Sequence, residues 1–127
     1  MVKIAVFSLS LILLGCSIVD STDLSPEMSN IHVTEIGADG DAQFCREFKL
    51  KDAEVASYFE KAEEVSFKRF HDELDYLPCF VKGTLQRQGY ECEFIIRAGG
   101  TAEVFCSGNQ QFFYGCTSCD GLFQVGP

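Results

Sequence analysis

The sequence has few positive charges. Ten lysine and arginine residues stand against nineteen aspartate and glutamate residues, which gives a formal net charge of −9 at pH 7. Nucleic acids and anionic membrane headgroups attract basic surfaces, so this balance argues against both as direct electrostatic partners. A basic protein is the partner class that the charge favours.

The sequence also lacks a hydrophobic run long enough to cross a membrane as a helix. The apolar stretch at residues 4–14 covers eleven residues, whereas a spanning helix needs about 18 or more. Lys3 precedes this stretch and the small residue Gly15 follows it, which is the pattern of a signal peptide. Residues 1–15 are therefore predicted to direct export.

Catalytic signatures are missing as well. The chain contains no nucleophile elbow, no HExxH motif and no glycine-rich phosphate loop. His71 with Asp72, Glu73 and Asp75 has the residue types of a general base or a metal site, but a solvated acidic segment is the simpler interpretation of such a charge run. We therefore predict that the protein is not an enzyme and uses no cofactor and no metal.

The residues at the end of the apolar stretch carry a more specific motif. Leu13, Leu14, Gly15 and Cys16 are consecutive, and this run resembles the lipobox of bacterial lipoproteins. The resemblance covers residues 1 to about 17. It implies that Cys16 is linked to a diacylglycerol, becomes the new N-terminus and anchors the chain in the membrane. Ser17 at the next position implies the outer membrane, with the chain facing the periplasm; an ordinary secretory signal cleaved nearby is the alternative.

Six cysteines remain when Cys16 is assigned to lipid, and an even number fits disulfides in an oxidising compartment. They are Cys45, Cys79, Cys92, Cys106, Cys116 and Cys119. Cys116 and Cys119 form a CxxC pair, but only eight residues follow them, whereas a thioredoxin-like redox site needs a substantial fold after the motif. A zinc site is disfavoured because the spacing is not that of two CxxC knuckles.

The exported chain is predicted to divide into a tether and one folded domain. Residues 16–41 are rich in Ser, Asp, Glu and Gly, which predicts a flexible acidic spacer after the lipidated cysteine. Within it, residues 31–36 are a candidate edge strand. Residues 42–127 are predicted to form one small domain. In a domain of this size the hydrophobic core gives only marginal stability, so disulfides add an important contribution.

Hydrophobic periodicity predicts the elements of this domain. Residues 43–50 alternate as a strand, Asp52 caps a helix with apolar positions at helical spacing, and residues 66–77 can continue a helix that Pro78 ends. Period-two patterns between glycine turns predict four strands, at 79–86, 90–98, 101–107 and 111–116. The expected fold is α+β, with one helix packed on a four- to five-stranded antiparallel meander stapled by disulfides. The expected core consists of Phe44, Phe48, Val55, Phe59, Phe94, Ile96 and Val104.

The loop between the second and third of these strands sets a register. A three-residue loop at 98–100 places Arg97 opposite Thr101 and, further along, Cys92 opposite Cys106. A cross-strand Cys92–Cys106 disulfide is then geometrically allowed. It is one of 15 connectivities open to six cysteines, and a two-residue Gly-Gly loop would abolish it.

A group of acidic residues on or beside the helix is a candidate surface for a basic partner. We call it the predicted acidic face, and it consists of Glu60, Glu63, Glu64, Asp72, Glu73 and Asp75. Residues 77–123 are similar to small uncharacterised exported proteins of proteobacteria, a resemblance that brings no catalytic residues with it.

Three functions follow as hypotheses. The first is a lipid-anchored binding or inhibitor protein, such as an immunity factor against a basic toxin or hydrolase that acts in the envelope. The second is a structural envelope lipoprotein without a single partner. The third is a thiol oxidoreductase that uses Cys116 and Cys119.

Overall fold

A computed structural model of the chain describes Gly15, residues 27–40 and residues 43–123. Cys16, nearly all of the predicted signal peptide and the first part of the predicted tether lie outside the described residues. In chain order the elements are β1 (Met28–Ala38), a 3-10 helix (Gln43–Glu47), α1 (Asp52–Lys61), β2 (Glu63–Val65), α2 (Phe67–Glu73), β3 (Cys79–Arg87), β4 (Tyr90–Arg97), β5 (Thr101–Cys106) and β6 (Gln110–Gly115).

The strands form a single sheet in the order β1-β3-β4-β5-β6-β2. All neighbouring pairs are antiparallel, so the α+β class with an antiparallel sheet is confirmed. The sheet has six strands, however, and the predicted count of four to five was too low. Strand β2 is three residues long, and so short a segment carries no readable periodicity.

Strand β1 occupies much of the segment that we expected to be a flexible spacer. It has eleven residues and pairs with β3 along one edge of the sheet, which extends the candidate strand at 31–36 in both directions. Its register shifts between Ser29 and His32 and again between Val33 and Glu35. Each shift moves the side chains that follow to the other face, which is why the apolar residues show no sustained period.

The segment predicted as the first strand forms a 3-10 helix instead. In this geometry residues three apart lie above one another, so Cys45 and Phe48 share the inner side, at 6% and 1% exposure. Phe44 is 48% exposed and does not belong to the core. The pattern of apolar residues over so short a segment fits both a strand and a 3-10 helix. The disulfide from Cys45 to Cys79 holds the segment against the start of β3.

Helix α1 covers one face of the sheet with Val55, Tyr58 and Phe59, all buried. Its N-cap residue is Lys51, whose backbone N–H donates to the Glu54 carboxylate at 3.0 Å. The expected cap, Asp52, instead accepts a hydrogen bond from the backbone N–H of Val33 at 2.8 Å and so fastens β1 to the helix. The remaining predicted core residues, apart from Phe44, are buried as expected.

The four predicted strands of the meander are confirmed as β3 to β6, and so is the predicted register. Cys92 lies opposite Cys106 and Ile96 opposite Ala102, as the three-residue loop requires. Cys92 and Cys106 form a disulfide, and the other two bridges are Cys45–Cys79 and Cys116–Cys119. All six of these cysteines are therefore paired.

The region before Pro78 contains a second helix that the predicted fold, with one helix, did not include. Helix α2 starts at Phe67 and is capped by Ser66, whose side chain accepts a hydrogen bond from the backbone N–H of Arg69 at 3.2 Å. The rings of Phe67 and Phe70 lie 5.2 and 4.9 Å from the ring of Phe113 on β6. Phe113 lies on the face of the sheet opposite α1. Helix α2 therefore covers that face only along β6.

Candidate functional site

The second face of the sheet, opposite α1, is partly open to solvent. We call it the open face. Its side chains follow from the register, because residues directly opposite each other in neighbouring strands point to the same side. One row across the strands is Glu35, Lys82, Ile95, Glu103 and Phe113. The next row is Thr84, Glu93, Phe105 and Gln111. On β1 the paired residue is His32, whose ring instead lies 3.7 Å from the Asp52 carboxylate at the start of α1.

A groove of about 440 Å³ lies on the open face between these two rows. It crosses β1, β3, β4 and β5, and at a strand spacing of about 4.8 Å it is about 14 Å across. We call it the open-face groove, and its side chains are Glu35, Lys82, Thr84, Glu93, Ile95, Glu103 and Phe105. The groove therefore combines apolar surface with several charged groups.

The charge of the groove is negative. Glu35, Glu93 and Glu103 contribute three carboxylates, and among the described residues none of them forms an ion pair. Lys82 is the single cation among the described residues that line the groove. Its ammonium group lies 4.5 Å above the ring of Phe80, which belongs to the same strand. The groove thus presents three carboxylates that have no ion pair among the described residues, with Lys82 beside them.

Glu103 is a partly buried carboxylate of the groove. Partial burial raises the pKa of its carboxyl group above the usual range, and Arg97 offsets part of that rise. An ionised carboxylate in a half-buried position without an ion pair is less stable than one in water. A cation arriving in the groove would relieve this cost.

The predicted acidic face is arranged differently. Arg69 lies 3.9 Å from Glu63 and 3.4 Å from Glu73, and the guanidinium of Arg87 lies 3.3 Å from the Glu64 carboxylate. The ring of His71 lies 3.0 Å from the carboxylate of Asp72. Four of the six carboxylates therefore have a partner in the chain.

The residues of the predicted acidic face also do not share one surface. Glu64 lies opposite Tyr114, which is buried under α1, whereas Glu63 lies opposite Gly115. These two neighbours in β2 point to opposite faces of the sheet. Glu60 lies at the end of α1, and Asp75 follows α2 on the other face. These residues are close together in the sequence, but in the folded protein they do not form one surface.

The other candidate sites from the sequence were a metal site, the CxxC pair and His71. In residues 27–40 and 43–123, no group of three or more His, Cys, Asp and Glu side chains is placed to hold a metal ion. Cys116 and Cys119 form a disulfide in the turn after β6, not at the first turn of a helix. His71 is exposed, with its ring 3.0 Å from Asp72.

Sequence reasoning missed the four residues that give the groove its character: Glu35, Glu93, Glu103 and Phe105. Glu93 and Glu103 occupy outward positions of alternating strands, which are the ordinary places for polar residues, and Glu35 lies in β1, where register shifts break the alternation. Phe105 is 42% exposed at a position where alternation predicts a polar side chain. Phe105 and Ile95, both apolar at outward positions, were the signals in the sequence.

No helix in the part of the chain that the structure describes is long and apolar enough to cross a membrane. Comparison of the chain with protein-family models, with curated proteins and with solved structures finds no match.

Proposed function

We propose that the protein is a lipid-anchored lipoprotein of the bacterial envelope whose folded domain binds and inhibits a basic protein. The class of partner we favour is a toxin or cell-wall hydrolase that acts in the envelope. The observation that supports the proposal is the open-face groove, because it holds three carboxylates without an ion pair among the described residues. Carboxylates of this kind attract a cationic partner and select against an anionic one.

The stapled fold is consistent with export. Three disulfides join all six cysteines that remain beside Cys16, and such bridges persist in oxidising compartments such as the bacterial periplasm. The anchor itself is proposed from the lipobox resemblance at residues 13–16. Two or three acyl chains on Cys16 would supply a stable attachment, since each buried methylene adds about 0.8 kcal/mol.

Lipidation is tested by labelling with a palmitate analogue in a Gram-negative host, followed by membrane fractionation. We expect the wild-type chain to incorporate the label and to fractionate with the outer membrane, facing the periplasm. The variant Cys16→Ala should do neither. An unlabelled wild-type chain in the soluble fraction would show that the signal is an ordinary secretory one.

The binding function is tested by capture from an envelope extract, with the full chain in detergent as bait. A charge-steered complex should form at low salt and release one basic protein as salt rises, because the Debye length falls from about 10 Å at 0.1 M to about 3 Å at 1 M. The purified partner must then lose its toxic or hydrolytic activity when the chain is added. A folded, oxidised bait that captures nothing at any salt concentration would instead favour a structural envelope lipoprotein.

A further inference from the structure

Arginine side chains of this protein repeatedly lie over an aromatic ring while binding a carboxylate. The guanidinium of Arg97 lies 4.3 Å from the ring centroid of Tyr76, and its Nη1 is 2.8 Å from the carboxylate of Asp39. The guanidinium of Arg87 lies 3.5 Å from the ring centroid of Phe112, and its Nη2 is 3.3 Å from the carboxylate of Glu64. Both sites combine π stacking with a charged hydrogen bond.

The open-face groove contains the same two kinds of group, but among the described residues no cation of the chain lies over its ring. Phe105 lies directly opposite Glu93, and Glu103 is two residues before Phe105 on the same face of β5. No lysine or arginine of the described residues lies over the ring of Phe105. Lys82, the nearest cation in the groove, lies over Phe80 instead.

The groove also has the shape to accept more than one side chain. A second depression of similar volume, about 440 Å³, adjoins it along β4 and β5 and shares Thr84, Glu93 and Phe105 with it. Glu91 lines the far end of this extension. An extended backbone could therefore lie along the groove and present successive side chains to its acidic groups.

We propose that the open-face groove binds an arginine of an extended basic segment, with its guanidinium stacked on Phe105 and hydrogen-bonded to Glu93 and Glu103. This inference deepens the proposed function and rests on it for the identity of the natural partner. Arginine fits better than lysine because its planar guanidinium stacks on a ring and binds carboxylates through a fork of donors. Pairing of two copies groove to groove is disfavoured, because two acidic grooves repel each other.

The direct test is the binding of a fluorescent peptide with alternating arginine and serine to the full chain, measured by fluorescence anisotropy at low salt. The same peptide with lysine and the same peptide with the neutral analogue citrulline are the comparisons. We expect the arginine peptide to bind about two- to fivefold more tightly than the lysine peptide, the range that stacking on a ring provides. The citrulline peptide should not bind.

Variants assign the binding to the groove. Phe105→Leu and Glu93→Gln should each weaken the arginine peptide about three- to fivefold. The matched controls Phe44→Leu and Glu60→Gln remove an exposed ring and an equal charge elsewhere, and they should leave its affinity within twofold. The inference is wrong if the arginine peptide does not bind or if the lysine peptide binds equally well. It is also wrong if Glu93→Gln and Glu60→Gln weaken the arginine peptide equally.

The two proposals fail in different ways. If the full chain still captures and inhibits a basic envelope protein while the arginine peptide does not bind, the groove inference is wrong and the proposed function stands. If the peptide binds with the expected variant pattern while no envelope protein is captured, the groove is an arginine site and the proposed function is wrong.

Discussion

At the scale of single residues, Asp39 connects three separate segments of the chain. It accepts hydrogen bonds from the hydroxyl of Tyr76 and from Arg97, and Arg97 also donates to the backbone carbonyl of Leu77 at 3.4 Å. The hydrogen bond from Tyr76, followed by that from Arg97, holds the pKa of the Asp39 carboxyl below its usual range. The end of β1 is thereby tied to β4 and to the segment before β3.

The lowered pKa of Asp39 gives a prediction about acid stability. A carboxyl whose pKa is lower in the folded state stabilises that state above the unfolded pKa of about 3.9, and this contribution is lost as the pH falls through the folded value. We expect the unfolding midpoint of the wild type to fall more steeply below about pH 4 than that of Asp39→Asn. Tyr76→Phe removes the hydrogen bond that lowers the Asp39 pKa most. Its unfolding midpoint should fall with a slope between those of the wild type and Asp39→Asn. Parallel pH profiles of the three proteins would contradict this account.

Gly83 is a residue where no side chain fits. A Cβ atom there would lie 2.0 Å from the backbone oxygen of His32 and 2.6 Å from the ring of Phe94. Gly83→Ala should therefore lower the free energy of unfolding by about 2 kcal/mol or more, because backbone of β1 would have to move. The matched control is Gly121→Ala, which meets no atom within 4 Å. Chemical denaturation measures both, and equal stabilities would show that β1 does not pack against β3 in this way.

Glu103 should lower the free energy of unfolding and strengthen the binding of the arginine peptide. Its raised carboxyl pKa means that the folded state takes up a proton more readily than the unfolded state, so the ionised form costs stability at neutral pH. Glu103→Gln should raise the free energy of unfolding by less than about 1 kcal/mol, since solvent screens a half-exposed group. The same change should weaken the arginine peptide. A variant that is less stable, or that binds as well as wild type, would contradict this role.

At the scale of elements, the sequence was most informative where local patterns and tertiary pairing agree. Strands β3 to β6 follow one another with short glycine turns, so period and a three-residue loop gave their register, in which a Cys92–Cys106 disulfide was one allowed pairing. Strand β1 and the 3-10 helix at Gln43–Glu47 were not predictable in this way. Their conformations depend on partners far along the chain, namely β3 for the strand and Cys79 for the helix.

The three disulfides should differ in their contributions to stability. Cys45–Cys79 spans 34 residues, Cys92–Cys106 spans 14 and Cys116–Cys119 spans three. In the chain-entropy view, removing them by paired Cys→Ala changes should cost about 4, 3 and 2 kcal/mol respectively. The order is checked by denaturant unfolding of the three double variants. If loss of Cys116–Cys119 proved the most damaging, loop closure would not be their main effect.

At the scale of the whole molecule, the candidate binding surface depends on the register of the sheet. Glu35, Glu93 and Glu103 come from three strands and are separated by up to 68 positions in the chain, and only strand pairing brings them beside Phe105. The sequence predicted an acidic molecule with a basic partner, but it pointed to carboxylates that are clustered along the chain. In the folded protein Glu63 and Glu73 lie beside Arg69, and Asp72 lies beside His71, because a local run of mixed charges brings its own partners together. Glu64 is paired with Arg87 of β3.

The most direct test of the central claim compares two triple variants with the same net charge. One neutralises the groove, with Glu35→Gln, Glu93→Gln and Glu103→Gln, and the other neutralises part of the predicted acidic face. The second variant carries Glu60→Gln, Asp72→Asn and Glu73→Gln. We measure the affinity of each for the captured basic partner at low salt. The account predicts that the groove variant loses at least about tenfold in affinity while the other stays within about twofold of wild type. Equal losses, or the reverse order, would contradict the claim that the open-face groove is the binding site.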